Sequence, residues 1–176
     1  MKTSRLAAFA LVLAPLAYEG SALAKPPPVE LLHKAEAGSM PKGAALSPDG
    51  SILGAVGYNG TTRLHLLKQN SLRTLAGSAQ ALNSLAFLSN TRAASISDEG
   101  DVALLDLSAG NGEILQGMQG KAINIAASAD GKLLVAGSDT GAITRWDGAT
   151  GKAQPALTGG QLPLIYGLAV SPDGAL

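Results

Sequence analysis

A short motif that recurs about every forty residues constrains the fold of this chain more than any other feature. The tetrapeptide SPDG occurs at 47–50 and 171–174, and the variants LSNT and SADG lie between the two copies, at 88–91 and 128–131. The steps between the third residues of these segments are 41, 40 and 43 residues. Self-similarity at a fixed period of this length predicts a repeat protein, in which each unit buries its apolar surface against its neighbours.

A second series of turn residues keeps the same phase. Gly60, Gly100 and Gly141 follow one another at steps of 40 and 41 residues, in the contexts GYNGTTRLHL, SDEGDVALLD and SDTGAITRWD. Glycine at the end of a tight turn adopts a positive φ without steric cost, and Asn59-Gly60 is the strongest hairpin signal in the chain. Two anchors in one phase predict units that are built from short strands joined by tight turns.

The third unit shows the predicted order of strands most clearly. Strands are predicted at 122–128, 132–138, 142–147 and 154–157, with turns between them. Continuous apolar runs such as Leu133-Leu134-Val135 indicate sheets that are covered on both faces. Charged residues make up only 15% of the chain, which contains 22 glycines and 9 prolines, so short strands are favoured over long amphipathic helices. The predicted fold class is all-β.

Taken together, SPDG, the hairpin glycine and Trp146-Asp147 at a period near 41 residues resemble the WD40 repeat, whose family builds one four-stranded blade per period. The resemblance covers residues 41–176. It implies a partial β-propeller of about three four-stranded antiparallel WD40-like blades plus the start of a fourth. Leu105-Asp106 and His65-Leu66 stand where the second and first units would carry the Trp-Asp dipeptide.

The sequence departs from the family pattern at two places in every unit. The Gly-His that opens a repeat corresponds to Gly77-Ser78, Gly117-Met118 and Gly159-Gly160, and the aspartate before the hairpin glycine corresponds to Asn59, Glu99 and Thr140. In the family, that histidine and aspartate join a Trp and a Ser or Thr in a buried hydrogen-bonded network. Because an incomplete buried polar network costs more than none, we expect apolar packing to hold these units together.

The N-terminus is predicted to be a secretory signal peptide covering residues 1–24. Lys2 and Arg5 precede an apolar stretch at 6–17, and Ala22-Leu23-Ala24 matches a cleavage site before Lys25. The apolar stretch is too short to span a bilayer as a helix, and a buried N-terminal helix is the alternative. A Pro-rich leader at 25–40 would follow. The predicted location is a bacterial periplasm or the extracellular space.

Charge and cysteine content exclude several classes of function. The formal net charge is zero, and removal of residues 1–24 leaves 11 basic and 12 acidic side chains. There is no basic excess for phosphate neutralisation, so no nucleic-acid partner is expected, nor a polybasic membrane anchor. No membrane span is expected in the mature chain. The absence of cysteine excludes disulfides, thiolate metal sites and covalent haem attachment within these residues.

Each candidate for chemistry has a better structural interpretation, and no catalytic, cofactor-binding or metal-binding residue is predicted. The glycines at 110–120 before Lys121 fail the phosphate-loop pattern at Leu115 and Ala122. His33 and His65 lack metal-ligand spacing. Asp98, Glu99 and Asp101 are interpreted as solvated carboxylates in a turn, and Trp146 as a residue of the blade core. Arg145 is a weak candidate for a residue that recognises a partner.

The resemblance and the absence of a catalytic constellation favour a scaffold that binds an unidentified protein partner, not an enzyme, and no cofactor is expected. Two alternatives remain open. One is a propeller that precedes a c-type cytochrome domain, which a downstream C-x-x-C-H motif would reveal. The other is a propeller enzyme such as a lactonase or a quinoprotein-like dehydrogenase. Because propellers have four to eight blades, we also expect the ring to continue beyond residue 176.

Overall fold

The computed structural model describes residues 8–10, 34–36, 40–75, 78–157, 164–171 and 174. Most of the predicted signal peptide and Pro-rich leader lies outside this range, as does His33. Two short strands are described in that region, β1 (Ala8–Ala10) and β2 (Lys34–Glu36), and they pair antiparallel. Since β1 lies within the predicted signal peptide, cleavage before Lys25 would remove it and leave β2 without this partner.

Twelve further strands form three four-stranded antiparallel sheets, which we call blades 1 to 3. Blade 1 consists of β3 (Pro41–Leu46), β4 (Ile52–Gly57), β5 (Thr62–Leu66) and β6 (Ser71–Leu75). Blade 2 consists of β7 (Leu82–Phe87), β8 (Arg92–Ser97), β9 (Val102–Asp106) and β10 (Asn111–Ile114). Blade 3 consists of β11 (Ala122–Ala127), β12 (Leu133–Ser138), β13 (Ile143–Asp147) and β14 (Ala153–Leu157). In each blade the strands lie side by side in chain order.

This architecture confirms the predicted all-β fold and its division into about three four-stranded blades. The four strands predicted for the third unit agree with β11 to β14 to within one residue at each end. The described residues contain no α-helix, only a single 3-10 turn at Leu67–Gln69. Accordingly, none of the described segments is a helix long and apolar enough to cross a membrane.

The first strands of the blades lie next to one another. β3 contacts β7, and β7 contacts β11, so the first strand of each blade faces the common inner side. The fourth strands, β6, β10 and β14, occupy the opposite edge of their sheets. Each blade therefore presents one end where its first strand begins, and another end where the SPDG-type turns lie.

Apolar packing between blades forms two cores, as the departures from the family pattern predict. One core joins blades 1 and 2 and contains the buried side chains of Val56, Leu64, Leu75, Leu82, Leu85, Phe87, Ala93 and Leu107. The other joins blades 2 and 3 and includes Ile96, Val102, Leu104, Leu115, Ile125, Leu134 and Trp146. Blade 2 contributes to both cores, so its two faces are covered, as expected for the continuous apolar run VALL at 102–105 on β9.

Trp146 closes the interface between blades 2 and 3. Its side chain is fully buried, with 0% exposure, in the core that contains Leu104 and Leu115. Its Nε1 donates a hydrogen bond of 2.8 Å to the carbonyl oxygen of Gln116, in the connection that leaves blade 2. Met118, which stands where the family has its histidine, packs against the same core. The predicted core role of Trp146 is confirmed.

The SPDG-type turns owe their shape to a serine and an aspartate. Ser47 Oγ donates to Asp49 Oδ1 at 2.7 Å, and the Ile52 amide donates to Ser47 Oγ at 2.9 Å. In the third unit Ser128 and Asp130 repeat the same contact, also at 2.7 Å. In the degenerate second unit Leu88 stands in place of this serine, and the next residue takes part in the turn instead: the Arg92 amide donates to Ser89 Oγ at 3.0 Å. The repeated motif is thus a repeated turn.

These turns predict that the stability of the fold declines at acid pH. Hydrogen bonds from the Ser51 amide and from the Ser47 and Ser51 hydroxyls lower the pKa of Asp49 to about 2, from an ordinary value of 3.8. Hydrogen bonds from Ser128 and Lys132 lower the pKa of Asp130 to about 2 as well. A carboxylate with a lowered folded-state pKa stabilises the fold fully above its unfolded-state pKa, and this contribution is lost as the pH falls towards the folded-state pKa.

Denaturant unfolding at a series of pH values measures this effect. We expect the free energy of unfolding to fall between pH 3.8 and about 2, and to fall less steeply when Asp49 and Asp130 are both replaced by asparagine. Glu113→Gln serves as the control, because Glu113 is exposed on β10 and lies outside both turns. An unchanged slope in the double variant would contradict the assignment.

Residues 164–171 and 174 begin a fourth unit against blade 3. The Ile165 amide donates to the Ser138 carbonyl at 3.1 Å, and Asn124 Nδ2 donates to the Tyr166 carbonyl at 2.8 Å. The Gly174 amide donates to the Ser171 carbonyl at 2.9 Å, as the Gly50 amide does to Ser47 in the first unit. The predicted start of a fourth blade is therefore present at the expected phase.

Candidate functional site

A β-bulge recurs at the start of every first strand. The pairing of β3 with β4 skips one residue between Pro41 and Gly43, that of β7 with β8 between Leu82 and Ser84, and that of β11 with β12 between Ala122 and Asn124. The skipped residues are Lys42, Asn83 and Ile123, one in each blade. A bulge redirects the side chain of the extra residue, so the fold places three such side chains at the same end of the blades.

Lys42, the bulged residue of blade 1, joins the first two blades at this end. Its Nζ lies 2.6 Å from Asn83 Oδ1 and 2.5 Å from Asp98 Oδ1, both in blade 2. The same Nζ lies 4.0 Å from the centre of the Tyr58 ring, within cation–π range. Lys42 retains 21% side-chain exposure and Asp98 retains 42%. The ammonium group is thus held by a carboxylate, an amide and an aromatic ring.

The electrostatics of this contact favour the charged forms of both partners. The hydrogen bond from Lys42 lowers the pKa of Asp98, with a further contribution from Asn83. Asp98 lies in the β8–β9 turn, as predicted, and its amide donates to the Ala81 carbonyl at 2.8 Å. The Asp98 carboxylate is held by these contacts between blades, and neighbouring Glu99 is exposed.

Large apolar side chains are exposed around the Lys42–Asp98 pair. Met40 is 64% exposed and Tyr58 is 53% exposed, and the Tyr58 amide donates to the Met40 carbonyl at 3.3 Å. Met40 also has a positive φ of 50°, a conformation that is uncommon for residues other than glycine. We call the patch formed by Met40, Lys42, Tyr58, Asn83 and Asp98 the bulge-end surface. At the same end, beside blade 3, Tyr166 is 77% exposed.

The other residues singled out from the sequence have structural positions. Gly110 lies in the β9–β10 turn with φ 74°, which confirms that the glycine-rich stretch begins as a turn. His65 is partly buried on β5. Arg145 Nε donates to the Pro155 carbonyl at 3.0 Å, within blade 3. Among the described residues, no three His, Cys, Asp or Glu side chains converge on a point that could hold a metal ion.

Sequence reasoning missed the contact between Lys42 and Asp98, although one signal for it was present. Lys42 and Asn83 are 41 residues apart and occupy the same position in consecutive units, which places them on neighbouring first strands. No feature of the sequence marks these positions as bulges. Comparison with known proteins adds no family to this description, since neither the protein-family models nor the curated proteins give a match to this chain.

Proposed function

We propose that this chain is part of an exported propeller of the WD40 type that binds another protein through its bulge-end surface. The single observation that carries the proposal is the exposed Tyr58 ring beside Met40, with Lys42 held against the ring by its contact with Asp98 of the neighbouring blade. Aromatic residues and Met are enriched in the cores of protein interfaces. Export rests on the signal-peptide pattern at 1–24, and the WD40 assignment rests on the repeat motifs.

Rigidity of the site supports this proposal. Tyr58 lies in a turn whose ends are fixed by β4 and β5. Its ring faces Lys42 of β3, and the salt bridge of Lys42 to Asp98 joins β3 to blade 2. A side chain that is already fixed loses little conformational entropy on binding, which favours affinity. Since Lys42 and Asp98 neutralise each other, the surface suits a partner with an apolar or aromatic group and balanced charges. It offers no footprint for a nucleic acid.

The experiment first uses the mature chain, which is expected to begin at Lys25, to capture a binding partner from the periplasm. It then measures the affinity of the chain for that partner. Tyr58→Ala is expected to weaken binding by about 2 kcal/mol, or roughly thirty-fold, as is typical of a central interface tyrosine. Leu72→Ala is the matched control, because Leu72 is similarly exposed, at 46%, but lies on the edge strand β6. Surface plasmon resonance with the purified partner provides the affinities.

Three results would count against this function. The first is that no periplasmic protein binds the chain reproducibly. The second is that Leu72→Ala weakens binding as much as Tyr58→Ala, because the bulge-end surface would then have no special role. The third is that the exported protein begins at a residue within the first 24, which would contradict the predicted cleavage.

A further inference from the structure

A cleft of about 240 Å³ opens between blades 1 and 2. It lies between the start of β5 and the face of blade 2 that is formed by β8, β9 and β10, and Ser78 and Gln80 of the connection between the blades close one side. Leu105 and Gly112, which pair across β9 and β10, form part of its floor. An apolar protein cavity of about 150 Å³ accommodates benzene, so this cleft has room for a larger ring system.

The next interface shows what normally fills this position. Trp146 corresponds to Leu105 in the repeat and pairs with Ala153 as Leu105 pairs with Gly112. Met118 corresponds to Ser78 in the same way. Between blades 2 and 3, both larger side chains pack into the core. Between blades 1 and 2, both are replaced by smaller ones, and the cleft is the space that remains.

Two residues with side-chain hydroxyl groups line this cleft. Thr62 is 3% exposed and Ser95 is 2% exposed, and both residues contribute to the wall. A hydroxyl group can both donate and accept a hydrogen bond. The cleft therefore offers two donor–acceptor groups beside an apolar floor.

The charged residues at the rim of the cleft determine which ligand charge is favoured. Asp101 lines the opening and is exposed, and its amide donates to Ser97 Oγ at 3.2 Å. None of the described residues that line the cleft is a lysine, an arginine or a histidine. An anionic ligand would meet one carboxylate and no compensating cation, whereas a cationic amine would be attracted to Asp101.

We propose that the cleft between blades 1 and 2 binds a bicyclic aromatic group that carries a hydrogen-bond donor and no negative charge, of the class of indoles and indole amines. The ring takes the place that the Trp146 side chain fills in the next interface. Its N–H group donates a hydrogen bond to the hydroxyl oxygen of Thr62 or Ser95, and an amine carried by the ring lies near Asp101. Such a group is available both in free indole amines and in a tryptophan side chain of a protein.

Isothermal titration calorimetry of the full chain with tryptamine, indole and indole-3-acetate tests this proposal. We expect saturable binding of tryptamine on the order of millimolar, weaker binding of indole, and the weakest binding of indole-3-acetate. Asp101→Asn should reduce the preference for tryptamine over indole several-fold. A neutral peptide with one internal tryptophan forms the second arm: its binding identifies a protein side chain as a ligand source, and its failure beside tryptamine binding identifies a free amine.

Leu105→Trp reproduces the arrangement of blade 3 and should abolish binding while raising the melting temperature. Should this variant fail to fold, Ser95→Ala and Thr62→Val keep the size of the cleft nearly unchanged, and each should weaken tryptamine several-fold. The proposal is wrong if neither tryptamine nor indole binds, if a folded Leu105→Trp protein binds as before, or if indole-3-acetate binds as tightly as tryptamine. These outcomes are independent of the bulge-end surface and of any protein partner found there.

Discussion

Replacement of Trp146 by alanine is expected to lower the free energy of unfolding by about 3–5 kcal/mol, the usual range for removal of a buried aromatic side chain. Trp146 is 0% exposed and lies in the core that joins blades 2 and 3. The substitution removes both the apolar contacts of the ring and the hydrogen bond to the Gln116 carbonyl. The total stability of a domain is only about 5–15 kcal/mol, so a large part of it would be lost.

Denaturant unfolding followed by circular dichroism measures this loss, with two further variants for comparison. Trp146→Leu introduces the residue that blade 2 carries at the same position, and it should cost less than alanine because it leaves a smaller cavity. Leu72→Ala removes an exposed side chain from β6 and should change stability by less than about 0.5 kcal/mol. A loss of below about 1 kcal/mol for Trp146→Ala would contradict its role in closing the interface.

The second large effect is expected at Gly131, in the SPDG-type turn of blade 3. Gly131 has a φ of 71°, and a Cβ atom at this residue would lie only 2.1 Å from the carbonyl oxygen of Leu88 in blade 2. A Cβ atom cannot lie this close to a backbone oxygen, so Gly131→Ala must move the turn and blade 2 apart in addition to straining the turn. We expect a loss of about 3 kcal/mol in the free energy of unfolding.

Gly50 provides the matched control for this substitution. Its φ is 68°, and a Cβ atom there would have no neighbour within 4 Å. Gly50→Ala therefore reports the conformational strain alone, which is about 1 kcal/mol. Thermal and denaturant unfolding give the loss of stability for each variant. The difference between the two losses is the cost of the steric clash at Gly131, beyond the strain of the turn. Equal losses would show that the turn of blade 3 is not in close contact with blade 2.

The strands and turns could be predicted from the sequence because they depend on local chemistry. A serine and an aspartate two residues apart form the SPDG-type turn, and a glycine with positive φ ends each hairpin, so their spacing reveals the repeat. The period of 40 to 43 residues then predicts one blade for each unit of that length. The burial of Trp146 could also be predicted from the sequence, because a large aromatic residue on a strand that is covered on both faces has no exposed side.

The contacts between blades could not be predicted, because they depend on how far each blade is rotated against the next. Lys42 reaches Asp98 over 56 residues only because a bulge redirects its side chain, and the sequence contains no marker for that bulge. The cleft between blades 1 and 2 arises from the absence of bulk at Leu105 and Ser78. The sequence shows that Leu105 and Ser78 correspond to the larger Trp146 and Met118. It does not show whether neighbouring side chains fill the space that the smaller residues leave.

The pairing of every strand with its neighbours in the chain has a consequence for folding. Each sheet closes through tight turns, and loop closure over a few residues costs little entropy, so one blade can form as soon as its own segment of about forty residues is available. Longer contacts, such as the bond of 2.7 Å from Arg92 to the Ala149 carbonyl across 57 residues, form only after two blades exist. We therefore expect pairing within a blade to form before the contacts between blades, which then stabilise both blades by covering their apolar faces.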